Sequence, residues 1–338
     1  MSTVLVTGGS GFIAAHCIVA ALHAGHTVRT TLRSLKRETE VREMVRAGGA
    51  SDERLSFFVA SLESDDGWRE AIRGCDFVLH VASPTLAQTP KNDDDFVRPA
   101  RDGVLRVLKL SSEEGVKRVV LTSAMGAIAY GHPPRAEAFT EKDWTNVDGG
   151  IAPYQKSKTL AERAAWDFIA KTPGLELSVV NPAGVIGPIL GTDVGPSLGL
   201  PLRLLKGELK AAPQFTMPFV DVRDVAELHL LAMTRPEAKG ERFLASSGKS
   251  LSVLELANIL RAKLGPLAAR VPRKELPNFV LRFAALFSAD VRMILPQLGK
   301  SLSVSSEKAE RVLGWKARAN EESLVDTANS FVRFGVLN

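Results

Sequence analysis

Tyr154 and Lys158 stand four residues apart in Tyr154-Gln155-Lys156-Ser157-Lys158, and the chain contains only two tyrosines. Residues 154–170 combine strong helix formers with apolar residues at helical spacing, which places the two side chains one turn apart on one face. A phenol, with an ordinary pKa of about 10, is a poor proton source at neutral pH, but a neighbouring ammonium favours phenolate and so eases proton donation. Such a pair could protonate an alkoxide as it develops on a carbonyl carbon. A solvated helix lysine beside an ordinary tyrosine would have the same spacing, so the pair needs a second element.

That element is Thr7-Gly8-Gly9-Ser10-Gly11-Phe12-Ile13-Ala14. Within it, Gly9-Ser10-Gly11-Phe12-Ile13-Ala14 fits G-x-G-x-x-A directly after a strand signal and at the start of a helical pattern over 12–22. Glycine permits a sharp turn and close approach of backbone N–H groups to a pyrophosphate, while a small Ala14 permits tight helix–strand packing. The helix N-terminus then favours the negative charge. A tight turn without a ligand could carry the same glycines, but loop and pair together point to hydride transfer with a nicotinamide, Lys158 also binding the nicotinamide ribose hydroxyls. At the end of the second strand, where NAD binding calls for a carboxylate on the ribose, the chain has Arg33, followed by Lys36 and Arg37. Guanidinium can stack on adenine and grip a 2′-phosphate, so the expected cofactor is NADP(H); an ordinary basic surface is the plainer alternative.

The elements that must position these groups are β-branched runs at 3–7, 27–32, 55–60, 77–81, 119–122 and 177–181, separated by longer amphipathic stretches. That rhythm predicts an α/β, Rossmann-type doubly wound parallel sheet with right-handed helical crossovers. From Gly184 the texture turns to Gly187-Pro188, Gly191, Gly195-Pro196, Gly199 and Pro201, the mark of a hinge. We therefore expect residues 1–183 to form the NADP-binding domain and 184–338 a smaller, interleaved substrate-binding lobe with a lid. A strand at 219–222 and a helix at 225–233 are expected to rejoin the main sheet, returning 219–235 to the first domain.

The 338 residues are 45% hydrophobic and 24% charged, enough for a large core. Acids and bases interleave throughout, so the net charge of +5 reads as a solvated surface with an anionic ligand and not as a nucleic-acid interface. No leader pattern opens the chain, and the apolar stretch 279–286 is too short to span a bilayer, which leaves a buried or partner-facing helix. Cys17 and Cys75 form neither a metal-ligand cluster nor a disulfide framework, so no metal is expected and a cytoplasmic location is the reading.

These residues resemble the extended short-chain dehydrogenase/reductase superfamily, in particular the group of dihydroflavonol reductases and microbial carbonyl or methylglyoxal reductases. The resemblance rests on the stretch Thr7 to Ile13, on His80-Val81-Ala82-Ser83-Pro84, on Tyr154 through Glu162, on Asn181-Pro182-Ala183-Gly184-Val185-Ile186-Gly187-Pro188 and on Asp221-Val222-Arg223-Asp224-Val225-Ala226. It implies that Gly8, Ser10, Gly11, Phe12 and Ile13 hold the cofactor, that Val81, Ala82, Ser83 and Thr122 skirt it, and that Pro182, Ala183, Gly184 and Val185 line its nicotinamide end. It also implies a lid built from residues near 186–215.

The chain departs from that pattern in three places. Strand five ends Thr122-Ser123-Ala124 where the family usually has a second serine to bind the substrate oxygen, so either Ser123 supplies the hydroxyl through a shifted loop or Tyr154 works with another donor. Ser61, before Leu62, stands where an aspartate usually meets adenine. Ala127, Ile128 and Ala129 replace the polar specificity residue of the plant enzymes, which does not favour a flavonoid.

The activity these residues imply is NADPH-dependent reduction of an aldehyde, ketone or β-keto ester by a monomer or homodimer. A nucleotide-sugar epimerase, a hydroxysteroid dehydrogenase or an NADP(H)-sensing regulator are the alternatives on the same fold.

Overall fold

The computed structural model describes residues 1–84, 92–286, 295, 298–299 and 301–337. The six expected strands form as β1 (Thr3–Val6), β2 (Thr27–Leu32), β3 (Leu55–Val59), β4 (Phe77–His80), β5 (Arg118–Thr122) and β6 (Glu176–Pro182). They are followed by β7 (Gly184–Ile186), β8 (Ala212–Pro213), β9 (Thr216–Asp221), β10 (Arg242–Ala245), β11 (Ser250–Ser252) and β12 (Glu275–Leu276). The helices are α1 (Phe12–His23), α2 (Glu38–Ala47), α3 (Trp68–Ile72), α4 (Asp94–Glu113), α5 (Pro153–Ile169), α6 (Gly199–Lys206), α7 (Val222–Thr234), α8 (Val253–Leu264) and α9 (Asn278–Ala284), with two more at Glu307–Leu313 and Asn320–Arg333.

The main sheet has seven strands in the order β10-β6-β5-β4-β1-β2-β3, all parallel. It is the doubly wound Rossmann arrangement expected from the sequence. Strand alternation divides the core between two layers: Val4 and Val6 of β1 pack with α1, α2 and α7, whereas Leu5 packs with α3, α4 and α5. A third apolar cluster joins α6, α8, β9 and the helix Asn320–Arg333 beneath the C-terminal half. Among the described residues no helix is long and apolar enough to cross a membrane. On α9, inside the apolar stretch 279–286, Phe279 is 73% exposed.

One expected strand joins a different sheet. Residues 219–222 do not re-enter the main sheet: β9 pairs in parallel with β7 and antiparallel with β11 in a separate three-stranded sheet. The main sheet takes its seventh strand from β10 instead. The cause is local. A Cβ at Gly184 would lie 2.8 Å from Met217 Cε and 3.0 Å from Phe219 Cδ1, so a glycine at this position lets β9 close against β7. The helix after β9 does return, since Val225 and Leu228 of α7 are buried in the same core as Val120 and Val180 of the main sheet.

The two halves are tied by charge. Asp221 caps α7 by accepting from Arg223 N–H (2.8 Å), and the Arg223 guanidinium spans Asp221 and Asp326 (2.8 and 2.7 Å). Asp224 accepts from both the backbone N–H and Nε–H of Arg318, each at 2.8 Å. Between these, Gly314 at φ +70° ends its helix and turns Trp315 inward, fully buried, with Nε1–H donating to the Asp224 carbonyl at 2.8 Å. Trp315→Ala should lower the unfolding free energy by about 3–5 kcal/mol, the usual cost of emptying a buried aromatic site. Denaturant titration checks it as a lower midpoint.

Candidate active site

Each loop that the sequence singled out leaves the carboxyl end of a parallel strand, and the strand order reverses between β1 and β4. The glycine loop follows β1, Arg33 follows β2, Ser61 and Leu62 follow β3, and Val81 to Ser83 follow β4. Thr122 and Pro182 close β5 and β6. Ligands of doubly wound sheets bind at such a switch point.

The glycine loop is shaped by its neighbours. Gly8 has φ +72°, and a Cβ on it would sit 3.1 Å from Ala82 Cβ. A Cβ on Gly9 would lie 2.2 Å from Thr30 Oγ1, which is itself held by the Val6 carbonyl at 2.7 Å. Gly11 begins α1 with no side-chain cap, leaving the first-turn N–H groups free of an internal acceptor. Phe12 and Ile13 are half-buried behind the loop.

The three basic residues after β2 separate in role. Arg37 donates to Ser10 Oγ (3.0 Å), grips both oxygens of Glu40 (2.7 and 2.6 Å) and reaches Asp193 (3.0 Å), so it fastens the glycine loop to the C-terminal half. Arg33 and Lys36 are exposed, and among the described residues neither side chain has a hydrogen-bond or ion-pair partner. The carbonyl of Ser61 accepts from Trp68 Nε1–H (2.7 Å), which pins the turn after β3.

Thr7 knots β1 to β4. Its hydroxyl oxygen accepts from Val81 N–H (3.0 Å) and Ala82 N–H (2.9 Å) and lies 3.0 Å from His80 Nδ1. With both N–H groups donating to it, the hydroxyl spends its own proton on Nδ1, which fixes His80 as the Nε2–H tautomer. Burial, assisted by Lys158, lowers the His80 pKa to about 3, so this ring is neutral. A similar lock lies under β5: His229 donates Nδ1–H to the Val225 carbonyl and accepts from the Thr122 hydroxyl, both at 2.7 Å.

Pro153 opens α5 at its first turn, where a missing N–H costs nothing, and so sets Tyr154 at the helix mouth with Lys158 a turn inside. The Tyr154 ring packs beside Gly126, where a Cβ would sit 3.7 Å from Tyr154 Cε1. As a residue Tyr154 is 47% exposed, yet its phenol lies where desolvation raises the pKa. The expected depression of that pKa is therefore not present in the protein alone. Lys158 is the perturbed group: burial lowers its pKa to about 8, against the opposing pull of Glu162, and Nζ reaches the Thr122 carbonyl at 3.5 Å.

The alternation of β5 decides where its last residues point. Thr122 faces α7, and Ser123 lines a small cavity with Ala100 and Val104 of α4 and Ala161 of α5. Ala124, extended at φ −161° and ψ 159°, turns back to the face opposite Ser123. Ala127, Ile128 and Ala129 are buried in the core. Pro182, Ala183 and Val185 are buried at the end of β6 and the start of β7, with Gly184 half-buried between them.

Sequence reasoning missed the charge network behind α5. Glu162 is fully buried, accepting from Arg242 Nε–H (2.5 Å) and Trp166 Nε1–H (3.4 Å) on one oxygen and from Asn181 Nδ2–H (2.8 Å) on the other. Arg242 stacks on Trp144 with its guanidinium carbon 3.7 Å from the ring centre and donates to the carbonyls of Glu141 and Asp143. A glutamate on the same helix face as Lys158 was the available signal, but its partner lies 80 residues away. Among the described residues no three His, Cys, Asp or Glu side chains could together hold a metal ion.

The chain belongs to the NAD dependent epimerase/dehydratase family, whose model matches residues 4–245. It is 38% identical over 270 residues to tetraketide alpha-pyrone reductase 2 of Arabidopsis thaliana, covering 78% of this chain and 83% of that one. It is 33% identical over 274 residues to dihydroflavonol 4-reductase of Zea mays, covering 77% and 73%. Among solved structures it resembles yeast methylglyoxal/isovaleraldehyde reductase Gre2 complexed with NADPH, with a TM-score of 0.80, 25% identity and coverage of 99% and 100%.

Arg242→Ala would leave the Glu162 carboxylate buried without its cation, and should cost about 3–5 kcal/mol of stability. Adding Glu162→Gln should recover most of that loss. A double-mutant cycle of unfolding free energies reads the coupling; additive losses would mean the pair does not act as one unit.

Proposed function

We propose that this chain is an NADPH-dependent reductase that delivers hydride to the carbonyl of an aldehyde, ketone or β-keto ester, with Tyr154 as proton donor and Lys158 as its electrostatic partner. The observation that carries the reading is convergence: the uncapped N-terminus of α1 and the Tyr154–Lys158 pair of α5 meet at the carboxyl edge of one sheet, across its switch point. Reductase names among the relatives, and NADPH in the Gre2 complex, support it. Residues 1–183 would hold the cofactor and 184–338 most of the substrate pocket and lid.

The residues present suit the dinucleotide. Gly8, Gly9 and Gly11 leave room that a Cβ would fill, Gly11 N–H closes the loop onto the Gly8 carbonyl at 2.9 Å, and Ser10, Phe12 and Ile13 would present backbone N–H groups to the pyrophosphate. Arg33, exposed and without a partner among the described residues, would grip the 2′-phosphate, with Lys36 beside it; Arg37 would act by holding Ser10 in place. Ser61 and Leu62 would border the adenine, Val81, Ala82, Ser83 and Thr122 the middle of the molecule, and Pro182 to Val185 the nicotinamide. When bound, NADPH supplies the hydride. Tyr154 gives its proton to the oxygen of the reduced carbonyl, and the Lys158 ammonium stabilises the phenolate left behind. The second hydroxyl expected from the family pattern is Ala124 here, and Ser123 faces away from it. This favours a donor other than Ser123 for the substrate oxygen.

Turnover of aldehydes, diketones, β-keto esters and aryl ketones, followed by NADPH oxidation with NADH in parallel, tests the reading. NADPH-selective turnover supports it; tight binding without turnover of any carbonyl would favour an NADP(H)-sensing protein. Tyr154→Phe should lower kcat by about 10²- to 10⁴-fold while NADPH still binds. Arg33→Asp should raise the KM for NADPH much more than that for NADH, and equal changes would count against Arg33 as the phosphate contact. Because the protonated lysine is the useful form and burial has already lowered its pKa to about 8, kcat/KM should fall as pH rises through that value.

A further inference from the structure

A small, partly open pocket with room of about 20 Å3 lies between α4, α5 and the carboxyl ends of β4 and β5. His80, Ser123, Lys158 and Glu162 contribute its polar wall, and Leu62, Ala100 and Val104 its apolar one. A single water needs roughly 10–15 Å3 of such space and two to four polar partners. Two buried polar atoms here have no partner among the described residues: His80 Nε2 and Ser123 Oγ. Each belongs to a residue more than nine-tenths buried, and burial without a partner is what native proteins avoid. The Thr7 hydroxyl has already fixed the proton of His80 on Nε2, so this nitrogen is a donor facing the cavity side of the sheet.

The Lys158 ammonium is the third group at the cavity, and among the described residues its one hydrogen bond is the long contact to the Thr122 carbonyl at 3.5 Å. We infer that His80 and Ser123 hold one buried water against Lys158, and that Ser123 is therefore a positioning residue for this lysine and not the donor to the substrate oxygen. The water accepts from His80 Nε2–H and from Nζ–H, and donates to Ser123 Oγ and the Glu162 carboxylate. It solvates the ammonium beside the apolar wall of Leu62, Ala100 and Val104, and so keeps the lysine protonated at the pH where Tyr154 needs it. The groups that face Lys158 are Glu162 and Tyr154 on its own helix, neutral His80 from β4, Thr122 and Ser123 from β5, and, one step further, Arg242 from β10 through Glu162; α4 contributes Ala100 and Val104.

This inference rests on the proposed reductase reading only for its catalytic consequence, and its test is chosen to stand apart from turnover. In the NADPH-bound protein, the Lys158 pKa is read by NMR of selectively 13C-labelled lysine, for the wild type, Ser123→Ala and Ser123→Thr. Without the Ser123 hydroxyl the water loses one of its two acceptors and is held less firmly against the ammonium, so Ser123→Ala should lower the Lys158 pKa by about one unit. Ser123→Thr, which keeps the hydroxyl, should restore it towards the wild-type value. If the wild type turns over a carbonyl, the high-pH limb of kcat should move down with the NMR pKa, while KM for the carbonyl stays within about twofold. A high-resolution crystal structure should show one water within hydrogen-bond reach of His80 Nε2 and Ser123 Oγ. An unchanged Lys158 pKa in Ser123→Ala, or no water at that position, overturns the proposal. So does a loss of kcat at every pH, with the limb unmoved, that Ala124→Ser restores in the Ser123→Ala background, because that pattern belongs to a substrate donor. A wild type that turns over nothing but shows the water and the pKa shift would sink the reductase reading and leave the water site standing.

Discussion

Side by side in the middle of the sheet, β1 and β4 end at the same level and send their chains to opposite layers, β1 into α1 and β4 towards α4. The crevice so opened would collapse or splay without a tie, and the Thr7 hydroxyl supplies one by accepting from Val81 and Ala82 and donating to His80. Three features follow. The β4 loop is drawn so close to Gly8 that a side chain there would strike Ala82. The free N–H groups at the start of α1 face the mouth of the crevice. His80 is held in one tautomer and lines, with Lys158, the same small pocket.

The far wall of the crevice is an electrostatic construction. Lys158 and Glu162 lie one turn apart on α5, and Glu162 answers in turn to Arg242 and Asn181. Burial disfavours the lysine's charge and the glutamate restores part of it, which leaves Lys158 with a pKa of about 8. A lysine at that point of balance changes its protonation in response to small changes around it. Tyr154 stands at the edge of this network with its phenol pKa raised by desolvation, so the proton donation proposed for it would depend on what Lys158 and a bound cofactor's charge contribute together.

Much of this was legible in the sequence because it is local. Each strand of the N-terminal half is a β-branched run that needs only its own residues to declare itself, and the glycine loop, Pro153 and the Tyr154–Lys158 spacing are read from a few neighbouring positions. What escaped reading depends on pairing across the chain. β10, Arg-Phe-Leu-Ala, is short and starts with a charged residue, so nothing within it announces the seventh strand of the main sheet. The diversion of β9 to β7 turns on the missing side chain at Gly184 meeting Met217 and Phe219. Arg37 reads as a phosphate ligand from its position after β2, and only the folded chain brings Asp193 to it. Ser123 and Ala124 are adjacent in sequence yet face opposite layers, a consequence of strand alternation that matters only once α4, α5 and α7 are in place.

Direct hydride transfer to a carbonyl carbon in this crevice, as proposed, can be followed by an isotope. NADPH deuterated at the C4 position of its nicotinamide, with each face labelled in turn, would be incubated with the protein and the best carbonyl of the panel, and the alcohol examined by mass spectrometry. Deuterium from one face alone should appear on the carbinol carbon, and Tyr154→Phe should slow this transfer without changing the face. Alcohol formed without the label, or NADPH bound tightly with no labelled alcohol from any carbonyl, would contradict it.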